Sequence, residues 1–200
     1  MVACLFSEIN SQLRHGRVIN ATKAVAPAVR SHRPHWTLRG EDYADQVVDE
    51  AGGAPWSNFR FVQDVVPSPG EGNRIHLHNL AIAELLFDAR NAYITEAVGL
   101  TWQQLFDTGC SLIIRRLEID YEREVLAGIP LKVGVRAITR SRRSVTFDEV
   151  VWRVDLALPI AVAGSVHVVV RFDTPGAIEL PDDVVNKFES YEGHPLVGMP

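Results

Sequence analysis

Residues 71–94 read EGNRIHLHNLAIAELLFDARNAYI, and the reading of this stretch decides the fold. A polar loop bearing Glu71, His76, His78 and Asn79 runs directly into an apolar segment that lacks Gly and Pro. The segment from Asn79 to Val98 predicts one long helix, with Asn79 able to cap its start and Gly99 placed as a C-terminal glycine cap. Glu84, Asp88, Asn91 and Thr95 recur at steps of four, three and four, so they form a single narrow polar stripe. The remaining positions are mostly apolar, which predicts a helix buried over most of its surface.

Around this helix the sequence reads as strands. NFRFVQDVV (58–66) is a strand candidate ended by Pro67. Downstream, Ser111–Val125 alternates apolar and charged residues, and Leu131–Thr139 follows. A basic turn, SRRS, then leads into Val145–Leu156, and Ala161–Asp173 is nearly continuous apolar, as an interior strand should be. PDDVVNKFESY reads as a short closing helix with Pro181 in its first turn, and EDYADQVVDEAGG (41–53) as another stopped by glycines. The order strand, long helix, four antiparallel strands predicts an α+β hotdog fold, a central helix wrapped by a curled antiparallel sheet. One such unit leaves a sheet edge and part of the helix uncovered, so a homodimer or a tetramer is expected. Residues 56–200 are expected to form this domain and residues 1–55 an N-terminal extension.

Composition narrows the function classes. The 200 residues are 46% hydrophobic and 22% charged with net charge −5, ordinary values for a globular chain with a real core. Residues 9–40 hold no acid but carry Arg14, Arg17, Lys23, Arg30, Arg33 and Arg39, so the extension is basic against an acidic remainder. Aromatics are not interleaved with these bases, so no nucleic-acid partner is expected. No apolar run approaches the ~18–20 residues of a membrane span. Cys4 and Cys110 form neither a metal spacing nor a disulfide framework, which suits a cytoplasmic protein.

Three passages in order resemble the 4-hydroxybenzoyl-CoA thioesterase-like branch of the hotdog superfamily. HLHNLAIAELLFDARNAYI resembles its loop-to-helix signature, with His76, Asn79 and Asp88-Ala89-Arg90 at matching positions. LEIDYEREVLAGIPLKVGVRAI and SRRSVTFDEVVWRV resemble its later paired strands and turn. The likeness runs over roughly residues 58–190. It implies an acyl-CoA or acyl-carrier-protein thioesterase, with coenzyme A as part of the substrate and no separate cofactor. The chain departs from that pattern at Gly72, where the family places an aspartate, with Glu71 beside it, and at Ile75 and His78. A hotdog dehydratase or hydratase acting on an acyl thioester, or a non-catalytic acyl-thioester binder, is compatible with these departures.

Thioester hydrolysis needs a base or nucleophile and donors aimed at the carbonyl oxygen as it gains charge. A helix N-terminus supplies unpaired N–H groups and the positive end of a dipole. Asn79 and the N–H groups near His78–Leu80 are therefore the expected oxyanion and positioning groups, and Leu80 a substrate contact. Glu71 or Asp88 is the expected base or nucleophile, assisted by His76 and His78, since imidazole titrates near working pH. Each residue also has a plainer role: an N-cap for Asn79, loop hydrogen bonds for His76, a solvated side chain for His78 or Glu71, an exposed helix edge for Asp88. Two histidines at i, i+2 without a third ligand predict no metal site. Arg140, Arg142, Arg143 and Ser144 at the SRRS turn are expected to hold coenzyme A phosphates, because guanidinium forks pair with phosphate oxygens; a solvated hairpin is the alternative.

Overall fold

The computed structural model describes residues 54–68 and 76–198. A 3-10 turn, Pro55–Asn58, precedes β1, Phe61–Val65. The long helix α1 spans Asn79–Ala92 and continues as a π-helical turn, Tyr93–Ala97. A short α2, Trp102–Asp107, held by a Thr101–Gln104 capping box, leads into β2, Cys110–Tyr121. Then come β3, Leu131–Arg140, β4, Ser144–Arg153, and β5, Leu158–Arg171. The chain closes with α3, Asp182–Glu192, and a two-residue β6, Val197–Gly198.

The strands form one sheet in the order β1-β3-β4-β5-β2, antiparallel throughout, with β6 parallel to the far end of β3. Two-residue periodicity gives every strand two faces. One face carries Leu131, Val133 and Val135 of β3, Phe147 and Val151 of β4, and Ala163 and Val169 of β5, all in one core with Ile82, Leu86, Ala89 and Tyr93 of α1. This is the hotdog arrangement the strand and helix order predicted. The opposite face buries Val150, Trp152 and Val162 beneath Phe59. Gly134 permits that packing, because a Cβ there would sit 2.7 Å from the Trp152 ring and 2.9 Å from Phe59.

The structure corrects the helix in two ways. It changes to a π turn at Tyr93 rather than running regularly to Val98, although Gly99 at φ 72° does follow it. Its N-cap is His78, whose Nδ1 accepts from the Ala81 N–H at 3.2 Å, and Asn79 is the first helical residue. One side of it also stays uncovered in a single chain, although most of its residues are buried or half-buried. Leu80 is 65% exposed and Phe87 48%, and they share the uncovered side with Glu84 and Asp88. Apolar residues awaiting a partner surface read the same in sequence as core residues. Pro181 is the residue before α3 rather than inside its first turn, and α2 and β6 were not anticipated. The helix expected over 41–53 lies outside the described residues.

Candidate active site

The amino end of α1 lies against the segment that leaves β2. Leu77 N–H donates to Val125 O at 2.9 Å, and His76 forms an antiparallel bridge with Leu126. Tyr121 completes the contact, its hydroxyl donating to Asn79 O at 3.2 Å. Between the two walls runs a groove of about 270 Å3, with Leu77, Asn79 and Ile82 on one side and Tyr121, Glu122 and Glu124 on the other. Its floor is apolar and its rim polar. Asn79 Oδ1 accepts from the Leu80 N–H at 3.1 Å, so side chains already occupy both the Leu80 and Ala81 donors.

The expected site residues divide by position. His76, His78, Asn79 and Leu80 all gather at this end of the helix and are exposed. His76 Nδ1 stands 3.6 Å from Glu124 Oε2. Glu71 and Gly72 lie outside the described residues. Asp88 is nine positions along α1 from Asn79, about 13 Å at the helical rise, so one chain does not bring it to the groove. Burial, and then the neighbouring Glu84 carboxylate, push its pKa upward.

Within one chain the SRRS turn lies apart from the groove. The groove faces the Leu131 end of β3, whereas Arg140, Arg142, Arg143 and Ser144 close the other end of the β3–β4 hairpin. Roughly 25 Å of strand separates them. The turn is held internally: Ser141 and Ser144 hydroxyls are 2.7 Å apart, and Arg140 lies 3.5 Å from Glu189. Arg142 and Arg143 are exposed but are not brought to Asn79. A larger depression of about 530 Å3 lies at the carboxyl end of α1, between Arg60, Lys187 and Tyr191. Its cations are committed to Tyr191 O and Gly99 O, each at 2.5 Å, and none of the expected site residues lines it. Size alone does not make it the site.

A buried polar cluster that sequence reading missed lies beneath the last turn of α1. Arg90 donates to both Glu149 oxygens at 2.9 and 2.8 Å, and the Ser165 hydroxyl donates to Glu149 at 2.5 Å. Burial raises the Glu149 pKa despite the opposing Arg90 and Ser165 contacts. His167 sits two positions beyond Ser165 with its ring edge-on to Phe147, and neither ring nitrogen has a partner among the described residues. Burial, and secondarily Arg90, hold its pKa down to about 3, so the ring is neutral. Among the described residues no group of three or more His, Cys, Asp or Glu side chains could hold a metal.

A family model for the thioesterase-like superfamily matches residues 71–188, more than half of the chain. The chain belongs to that superfamily. No curated protein sequence matches it. Among solved structures, the thioesterase-like chain resembles a 1,4-dihydroxy-2-naphthoyl-CoA thioesterase from Synechocystis at 15% identity and TM-score 0.58, over 64% of this chain and 94% of that one. A hypothetical protein from Staphylococcus aureus in complex with CoA gives 12% identity and TM-score 0.61, over 70% and 88%. A Thermus thermophilus thioesterase complexed with coenzyme A and Zn gives 24% and 0.51, over 61% and 85%. At these identities the likeness establishes the fold. No helix among the described residues is long and apolar enough to cross a membrane.

Proposed function

We propose that this protein hydrolyses an acyl thioester of coenzyme A or an acyl-carrier protein, with the thioester placed at the amino end of α1. The observation that carries this reading is the groove joining Asn79 to Tyr121, Glu122 and Glu124, in a chain that belongs to the thioesterase-like superfamily. An arriving carbonyl oxygen competes with Asn79 Oδ1 for the Leu80 N–H and turns the Asn79 amide toward water. Loss of one such donor typically costs ~3–4 kcal/mol of transition-state stabilisation. His76 and His78 are exposed on either side of Leu77, which lines the groove, and Leu80 offers an apolar contact to the ligand.

The second element of the proposal is a homodimer, alone or paired into a tetramer. β2 is a twelve-residue edge strand, and its helix-facing residues Ile114, Leu117 and Tyr121 are exposed beside Leu80 and Phe87 of α1. An uncovered edge next to an apolar patch favours a second copy of the chain. That copy closes the open side of the groove, and Asp88 acts in catalysis only if the copy brings it there. Free-thiol release from a panel of acyl-CoA esters tests the activity. A cytoplasmic setting fits this substrate class.

The loss of the family's aspartate at Gly72 favours one other reading, a protein that binds acyl thioesters without cleaving them. Coenzyme A binding with no thiol released from any ester would select it.

A further inference from the structure

We infer that Glu124, on the segment joining β2 to β3, is the general base of the reaction, and that His76 is its positioning residue. This rests on the thioesterase reading above. The groove has two carboxylates on its β2 wall, Glu122 and Glu124, and no carboxylate from α1 reaches it within one chain. Of the two, Glu124 has its backbone placed by an independent feature, while its side chain is 88% exposed: the residues around it run antiparallel to those before α1, through the Leu77–Val125 hydrogen bond and the His76–Leu126 bridge. That ribbon sets His76 Nδ1 3.6 Å from Glu124 Oε2 at the mouth of the groove. The neighbouring cation does not compete, because Arg123 donates to Pro159 O at 2.8 Å. A carboxylate beside an imidazole near a helix amino end is an arrangement that general-base hydrolysis can use. The sequence points the same way, since Gly72 leaves the expected aspartate position without a carboxylate.

In the step, the Glu124 carboxylate takes one proton from a water molecule while the water oxygen forms a bond to the thioester carbon. The carbonyl π electrons move to the oxygen at the Leu80 N–H. As the C=O bond re-forms, the C–S bond breaks, and the departing sulfur takes the proton from Glu124. The products are one carboxylic acid and one thiol, and the Glu124 carboxylate is regenerated.

The test compares wild type, Glu124→Gln, Glu124→Ala and Asp120→Asn in thiol release from the best ester of the panel. Asp120 lies next to Tyr121 on β2 but on the opposite face of the sheet, so it serves as the carboxylate control. Glu124→Gln should lower kcat by about 10²-fold or more, within the usual range for a lost general base, with KM little changed. Glu124→Ala should regain rate in proportion to added formate, which no purely structural role for Glu124 explains. His76→Asn, which keeps a hydrogen-bonding group, should retain more kcat than His76→Ala. Wild type that releases thiol while Glu124→Gln keeps most of its kcat, or Glu124→Ala that ignores formate, overturns the assignment and leaves the thioesterase reading standing. Wild type that cleaves no ester overturns both.

Discussion

Replacing Arg90 with Met should destabilise the protein severely, and the reason can be followed atom by atom. Glu149 is fully buried on the β4 face that meets α1, flanked on that face by Phe147 and Val151. Its charge is offset by the bidentate Arg90 contact at 2.9 and 2.8 Å and by the Ser165 hydroxyl. Methionine fills much of the arginine volume but leaves the carboxylate buried beside one hydroxyl and a neutral His167. Breaking one side of such a pair costs ~3–5 kcal/mol, because the desolvation penalty of the remaining charge is no longer met. Arg90→Met together with Glu149→Leu removes that penalty, and should recover most of the loss, as apolar replacement of buried pairs often does.

The pH dependence carries its own sign. Burial holds the folded-state pKa of Glu149 above the ordinary carboxylate value, and losing Arg90 raises it further by removing a contact that opposes burial. Where pH lies between the unfolded and folded pKa values, the folded form binds more protons than the unfolded form, so stability falls as pH rises. The deficit of Arg90→Met should therefore be widest near neutrality and narrow as pH is lowered toward 5. Urea unfolding at fixed protein concentration, followed at several pH values, measures it. A deficit below about 1 kcal/mol at pH 7.5, or a double variant no more stable than the single one, would refute the reasoning.

Three other outcomes follow from the same structure. Gly134→Ala should cost about 1–3 kcal/mol in urea unfolding, since its methyl meets the Trp152 and Phe59 rings at under 3 Å. Leu117→Arg, on the exposed helix-facing side of β2, should shift the protein to a smaller species in light scattering; an unchanged mass removes β2 as the seam. Arg142→Ala with Arg143→Ala should leave KM alike for coenzyme A and pantetheine esters if each site is built from one chain. A selective rise for the coenzyme A esters shows instead that the turn reaches a groove across the dimer.

The strands were legible because β2 alternates and β5 is a nearly continuous apolar run, and either pattern survives small errors at the ends. Ser111–Val125, for example, became Cys110–Tyr121 without changing which side faces α1. The junction at Asn79 was legible to within one residue, since apolar periodicity marks the start of a helix but not which neighbouring side chain caps it. The π turn left no such mark, because Tyr93 and Ile94 are as apolar as a regular helix would require. The Arg90–Glu149 pair spans 59 positions, beyond any local pattern. A signal was nevertheless present: Glu149 has the parity of Phe147 and Val151, and a charge on a core face requires a partner. Glu124 gave none, because it lies past the end of β2, where strand alternation no longer says which way a side chain points.

These details bear on which end of α1 can admit a ligand. The last turn of the helix is tied to β4 by Arg90. Its π turn is tied to β3 and α3, where Tyr93 donates to Glu192 at 2.5 Å and the Ala137 N–H donates to both groups. Those polar ties are buried, while the first turn is exposed and held by Tyr121 and by backbone N–H groups donating to the Asn79 and His78 side chains. Displacing Asn79 Oδ1 or His78 Nδ1 there costs at most a cap, about 1 kcal/mol, whereas rearranging the Arg90 end exposes a buried charge to an unpaired state at several times that cost. A ligand oxygen can therefore be accommodated at the amino end without disturbing the core. Under the proposed function, the exposed apolar side of α1 and β2 is where a second copy of the chain would sit, beside that same end.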